Sequence, residues 1–514
     1  MLHVFRDEIK KTGRFIVTLE LVPGREAMGR SVDNVMRIAA DAFDDGRVTA
    51  VSITDNPGGN PSLSPDMIGH KIFKLGMDVI VHFTCRDTNR VGMESRGLQL
   101  AMMGLKNILA LNGDYSGTGF GGQGAPVFDL DSVSLQCLFG MLSDRLYSSG
   151  DPDGFFPGCA ISPFKRTEGE CFAQYAKLCR KFSAGARFII TQLGYDIRKF
   201  RELILMQKRM GVDLPTLGSI YVLTPGAAKI MNAGRVPGAV VTDRLLGRVL
   251  EEWKDPAKGR EAAIERVARL GVVLKGIGYR GIHISGIHKK FQTVARILDR
   301  MEQIEDQWEE FAGDFDYAQK DAFYLFPDSE NSNEIMFGKQ GVKISMLERT
   351  RFRFMQKMHG LFFNFDSSLE PLYQKICSWL DRTSQRQALM HMVENPAKKL
   401  LLNCLRCGDC GIQHVAFQCP ESGCPKHCRN GACGGSLNGR CEVFPERQCV
   451  WFRAYNRLAA GGLASKLGED CVPPRMWELN ETSSWINFHL KRDHQSASEV
   501  TGRFCLPRTC GLPK

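Results

Sequence analysis

Nine of the chain's 18 cysteines fall inside one 46-residue window, from Cys404 to Cys449. Thiolates crowded in this way, without an apolar leader at Met1–Glu8, point to metal binding rather than a disulfide framework. Cys404, Cys407 and Cys410 stand at two-residue intervals, and Cys419, followed by Pro420, comes after a longer gap. Three thiolates in one tight turn suit three irons of a cubane, with the fourth ligand reaching in from outside. Zinc needs only a tetrahedron, usually from two separated pairs. The triple therefore favours [4Fe–4S] over zinc. Cys424, Cys433, Cys441 and Cys449 form a second candidate ligand set, for another cluster or a structural zinc. His427 and Cys428 are reserves for it.

A different chemistry collects further upstream. Glu20, Thr54-Asp55-Asn56, His82, Thr84, Asp114, Gln192 and His283 each stand where a β-rich run ends. Carboxylates and imidazoles move protons, and an amide offers a donor and an acceptor together. Eight such runs lie between residues 14 and 286: 14–23, 48–57, 78–87, 107–116, 157–163, 186–196, 216–225 and 278–286. Several are almost wholly apolar, as strands covered on both faces are. Longer amphipathic stretches, such as 31–43, 171–182 and 240–253, alternate with them. Eight β-then-α units predict an α/β fold, a closed (β/α)8 TIM barrel whose C-terminal strand ends form the reactive face. A doubly wound open sheet is the competitor, and the count of eight favours the barrel. The expected organisation is a barrel at 1–300, a mixed helical connector at 301–395 and a cysteine-rich metal-binding module at 396–514.

Composition narrows the class. Hydrophobic residues make up 43% and charged residues 24% of 514, which excludes collagenous and largely disordered chains. No apolar stretch is long enough to predict a membrane span. Net charge is +10, and residues 396–514 carry 16 basic against 10 acidic side chains, without the basic runs of a nucleic-acid binder. A cytoplasmic enzyme is the expectation. The glycine-rich 113–124 segment lacks the residues of a Walker or dinucleotide loop and reads as a loop at the site mouth.

The motifs LELVP, VSITD, VHFTC, ALNGD, AGARFIITQ and GIHISG occur in order along the eight-run segment. In that order they resemble methylenetetrahydrofolate reductase, a flavin enzyme of one-carbon metabolism. The segments LNCLRCGDCGIQHVAFQCP and CPKHCRNGACGGSLNGRCEVFPERQCVW resemble the C-terminal or partner module of acetogen-type reductases. The resemblance implies that Glu20 protonates the folate nitrogen, with burial raising its pKa. Asp114 would lie near flavin and pterin, and Gln192 would read the pterin edge. Thr54, His82, Gly113, Lys181 and His283 would contact the flavin, with Lys181 balancing its phosphate. Asn112 and Gln174 depart from the family's arginine and ribityl-contacting aspartate. Lys229 aligns nearest to the aromatic residue that stacks on NADH in pyridine-nucleotide-using members.

The resemblance implies reduction of 5,10-methylenetetrahydrofolate by hydride from a reduced flavin, FAD or FMN. Electrons would enter through iron–sulfur clusters from a ferredoxin or redox-complex partner, with direct NAD(P)H use left open. The expected assembly is a homo-oligomer. Two alternatives stand beside this reading: a pterin-binding methyltransferase barrel without flavin, and a reductase whose zinc module is only structural or a docking platform.

Overall fold

The structure is a computed structural model that describes residues 4–11, 13–147, 154–326, 335–338, 342–469, 471–497 and 512. All eight predicted runs form strands: β1 (Ile16–Leu21), β2 (Ala50–Ile53), β3 (Val79–Thr84), β4 (Asn107–Leu111), β5 (Phe156–Ile161), β6 (Ile189–Thr191), β7 (Thr216–Tyr221) and β8 (Gly281–Ser285). They close into one parallel barrel, with β1 hydrogen-bonded to both β2 and β8. The register pairs Glu20 with Ser52 and Thr18 with His283, which sets these side chains at one level of the barrel wall. The fold is a (β/α)8 barrel, and the open-sheet alternative is excluded by that closure. The glycine-rich segment forms a small two-stranded ribbon, Thr118–Gly119 with Gly122–Gln123.

The two ends of the barrel differ. Phe5 and Ile9, on the N-terminal helix Val4–Lys10, pack with Ile80, Leu109, Phe156, Phe188 and Leu217. Phe5 meets Phe188 edge to face at 5.1 Å between centroids, and its backbone N–H donates to Asp78 at the start of β3. That apolar plug seals the N-terminal end. Polar side chains and the cavity are left to the C-terminal end, where capped helix starts such as Asp131 and Thr167 begin the return path.

Beyond the barrel, helices Met346–Phe362, Glu370–Leu380 and Ser384–Leu402 lead into a module of short turns and helices. The last of these helices runs through position 395. The connector joins the module: Glu348 pairs with Arg453 and Arg457, and Phe363 stacks against His489 and meets Phe488 edge to face. The module itself touches the barrel directly, without the connector between them. Helix Val450–Ala459 packs on the barrel helix Glu168–Ser183, with Phe172 and Tyr455 rings 5.0 Å apart and Tyr455 Oη donating to Glu168.

Candidate functional site at the barrel mouth

A cavity of about 430 Å³ opens at the C-terminal strand ends. Glu20 comes from β1, Thr54 follows β2, His82 lies on β3, and Gly113 and Asp114 follow β4. Gln192 follows β6, His283 lies on β8, and Lys181 reaches in from helix Glu168–Ser183. All eight barrel residues singled out from the sequence therefore line one space. Asp55 and Thr84 line it too, with Asp55 accepting from Thr84 N and Oγ1 and from Arg96, while Asn56 stands outside it and accepts from Ser62 N. Lys229 is exposed and does not line the cavity, whereas the aromatic Tyr221 at the end of β7 does.

Glu20 behaves differently from the sequence expectation. Burial pushes its carboxyl up, but the neighbouring imidazoles of His283, His82 and His288 pull harder the other way. Its pKa is lowered, not raised. His283 Nε2 lies 3.9 Å from Glu20, with its Nδ1 2.8 Å from Thr18 Oγ1. Burial pushes His82 down to about 4, so this imidazole is neutral at physiological pH. Burial also lowers Lys181, to about 8, while its Nζ donates to Ala160 O at 2.6 Å. Asp114 accepts from Gly58 N at 2.9 Å. Gln192 Nε2 donates to Pro237 O, and its Oε1 accepts from Leu193 N.

Thr54 Oγ1, His82 Nε2, Gln174 Nε2 and Glu442 Oε2 are buried on this wall without a partner among the described residues. Orphaned buried polar atoms are rare in folded proteins and are expected where a ligand supplies the missing bonds. Their mixture of donors and acceptors, with an ammonium at one side, fits a flavin's ring edge, ribityl hydroxyls and phosphate. Gln174 fits despite its departure, since its Oε1 is spent on Ser162 N and its amide N–H remains for a hydroxyl. Asn112 serves another purpose. Its Oδ1 accepts from Lys177 and Ser132, and its Nδ2 donates to Cys428 Sγ at 3.3 Å.

The cavity is not the barrel's alone. Lys426, Cys433, Gly434, Gly435 and Glu442 of the module complete its wall, and the sequence reading placed none of them there as cavity residues. Lys426 Nζ donates to Gly113 O at 2.7 Å and pairs with Glu442 at 2.5 Å. Cys433 Sγ donates to the same carboxylate. Lys165 Nζ reaches Gly434 O and Ser436 O, Lys177 Nζ reaches Gly431 O, and Asn430 N donates to Asp131. The signal available was the GACGG run at 431–435, whose missing side chains let two backbones approach.

The first cysteine set is gathered as its spacing suggests. Cys404, Cys407, Cys410 and Cys419 line one tight cavity that shares no residue with the barrel's. Backbone N–H groups of Arg406 and Ser422 donate to the sulfurs of Cys404 and Cys419, the kind of bond that steadies a thiolate. Gly408 is required within this loop: its φ is +71° and a Cβ would lie 1.8 Å from Leu479 O. Burial raises the thiols of Cys407 and Cys419 to about 12 and 11, so metal entry would release their protons. Around the second set, the reserve Cys428 is fully buried and interacts with Cys424, and Cys433 interacts electrostatically with Cys428 and Cys449. His427 lies 3.0 Å from Glu421 instead. Among the described residues, no three cysteine sulfurs lie mutually within 4.8 Å. A zinc tetrahedron with bonds of about 2.3 Å needs sulfurs about 3.8 Å apart.

Residues 5–302 match the family model described as methylenetetrahydrofolate reductase. The chain belongs to that family. Residues 383–478 match a second model, methylene-tetrahydrofolate reductase C terminal. Methylenetetrahydrofolate reductase 1 of Schizosaccharomyces pombe is 24% identical over 260 residues, covering 50% of this chain and 41% of that protein. The probable methylenetetrahydrofolate reductase (NADPH) of Caenorhabditis elegans is 25% identical over 227 residues, 43% of this chain and 32% of that one. The matched region thus spans less than half the length of these curated relatives. An uncharacterized Clostridium thermocellum protein that binds two copies of 5-methyl-5,6,7,8-tetrahydrofolic acid aligns with 59% of this chain and 99% of its own. Its identity is 12% and its TM-score 0.40. Among the described residues, no helix is long and apolar enough to cross a membrane.

Proposed function

We propose that this chain reduces 5,10-methylenetetrahydrofolate to 5-methyltetrahydrofolate at the barrel mouth, with a flavin in the cavity and electrons entering through the cysteine module. The observation that carries this reading is the convergence of Glu20, His82, Asp114, Lys181 and Gln192 on one cavity in a chain of this family. A bound reduced flavin supplies the hydride. Thr54, His82, Gly113, Gln174 and Lys181 would hold it, and Gln192 and Asp114 would orient the pterin.

Glu20 is the proton donor in this reading, and it starts ionised. Substrate entering the cavity strips water from the carboxylate, which pushes its pKa up and draws a proton onto it. His283, with Nδ1 held at Thr18, fixes the carboxylate's position meanwhile. The module's role follows from Cys433, which brings the second sulfur set to the cavity wall. The two-residue spacing of Cys404, Cys407 and Cys410, with Cys419 lining the same cavity, supports an iron–sulfur cluster at the first set. That arrangement suits one-electron delivery from a ferredoxin-like protein.

The test is anaerobic purification with iron, zinc and visible absorption measured on one sample, followed by turnover with reduced viologen as donor. Flavin absorption, about four or eight irons per chain and methyl product are the expected results. Absence of a flavin band and of product overturns the reductase reading. Zinc without iron makes the module structural and returns electron supply to NAD(P)H at the barrel.

A further inference from the structure

A second cavity, of about 860 Å³, lies away from the barrel mouth and shares no residue with it. It is bounded by helix Met346–Phe362, the end of helix Ser384–Leu402 and helix Val450–Ala459. Its charge is one-sided: Lys343, Arg351, Arg447, Arg453 and Arg457 face a single carboxylate, Glu348. Glu348 is already shared, 2.9 Å from both Arg453 and Arg457. Among the described residues Lys343 and Arg351 make no ion pair, and Arg447 has a 3.5 Å contact with exposed Glu446 and lies over the Phe444 ring. Arg457 is 2% exposed, and burial together with neighbouring Arg453 and Arg351 depresses its pKa, the signature of crowded cations.

The remaining wall describes the rest of a ligand. Gln418 is 5% exposed; its Nε2 donates to Val450 O while its buried Oε1 has no partner. That acceptor asks for a hydroxyl or amine donor, which a phosphate lacks and a ribose or adenine has. Phe417, Leu401 and Ile344 add apolar side chains to the wall. Guanidinium groups pair with phosphate oxygens through two parallel N–H bonds, and several together suit a diphosphate. The volume falls in the roughly 300–1,000 Å³ range of small-molecule sites.

From this geometry we infer that the cavity between the connector and the module is a second ligand site, which binds a nucleoside diphosphate or a cofactor carrying one. Cys419 of the first sulfur set forms part of its wall, so an occupant sits against that set. The inference does not rest on the barrel's chemistry, and failure of methylene reduction would leave it standing.

ADP is the probe, measured by equilibrium dialysis on the full chain with the barrel saturated by FMN, which lacks an adenylate. One ADP per chain is expected to bind, with adenosine at least tenfold weaker and the ADP affinity falling as salt rises. The double substitution Arg351→Glu and Arg447→Glu should weaken ADP at least tenfold and leave viologen-driven turnover unchanged. ADP that fails to bind, or binds the double variant equally well, overturns the inference. Salt-sensitive capture of an acidic ferredoxin without ADP binding overturns it in favour of a protein-docking face.

Discussion

The barrel and the cysteine module balance apolar and charged contacts differently. The barrel rests on one extended apolar core around its wall and an aromatic plug at its closed end. The module's apolar clusters are smaller, and its interior carries buried charges: Asp409 with Arg429, Lys426 with Glu442, and Lys398 with Glu394. Among the described residues, eight of eleven non-glycine positions with left-handed φ lie between Asn403 and Lys491. Each such position costs on the order of 1–3 kcal/mol unless its surroundings impose it. Hydrophobic burial is non-directional and tolerates local change. A scaffold of buried ion pairs and imposed turns does not. The barrel's interior thus leans mainly on apolar area, and the module's on specific polar pairs and imposed turns.

Metal removal gives the sharpest way to break that contrast. Chelation should unfold the module and spare the barrel, because a structural metal supplies about 10 kcal/mol of folding free energy. Limited proteolysis is expected to cut within 403–491 while a fragment near 4–302 survives; simultaneous loss of both would show one cooperative unit. Cys407→Ala should abolish metal at the first set, read by iron and zinc content.

Glu20→Gln comes next. It should keep flavin binding and reduction but lower methylene reduction by about 10²–10⁴-fold, the range of a lost general acid. Normal turnover would remove the proton-donor role.

Asp409, set between Cys407 and Cys410, tests the module's polar frame. It accepts from Arg429 and from His494 N and Nδ1, and burial opposed by those partners leaves its carboxyl far below its ordinary pKa. Asp409→Ala strands a buried guanidinium and should destabilise the module transition by about 3–5 kcal/mol, with the barrel transition unmoved.

Acid should act more weakly and on both regions. Burial holds His82 in the barrel and His359 in the connector near 4, against an ordinary value of 6.5. Below 6.5 the unfolded chain takes up protons that the folded chain refuses until about 4, so stability falls as pH drops through that window. A loss of about 1–3 kcal/mol is expected for each, and His82→Asn should flatten the barrel's part in thermal melts at pH 7.5 and 5.

Strand positions were legible because a strand covered on both faces writes a nearly continuous apolar run, and all eight runs became strands. The grouping of Cys404, Cys407 and Cys410 was legible for a similar reason, since two-residue spacing confines three cysteines to one turn. The direction of the Glu20 shift was not legible. It depends on His283, 263 residues away along the chain and adjacent only through the pairing of β1 with β8. Asn112 read as a lost flavin contact because its partner, Cys428, stands 316 residues distant.

What the sequence by itself determined was local and periodic: the barrel's eight units, the residues at their C-terminal ends and the grouping of the first cysteines. Only the tertiary structure decided that Lys426, Cys433 and Glu442 complete the barrel's cavity, and that five cations surround a second one. Those outcomes depend on which distant surfaces meet and how many charges share one carboxylate. Periodicity along a chain carries no record of either.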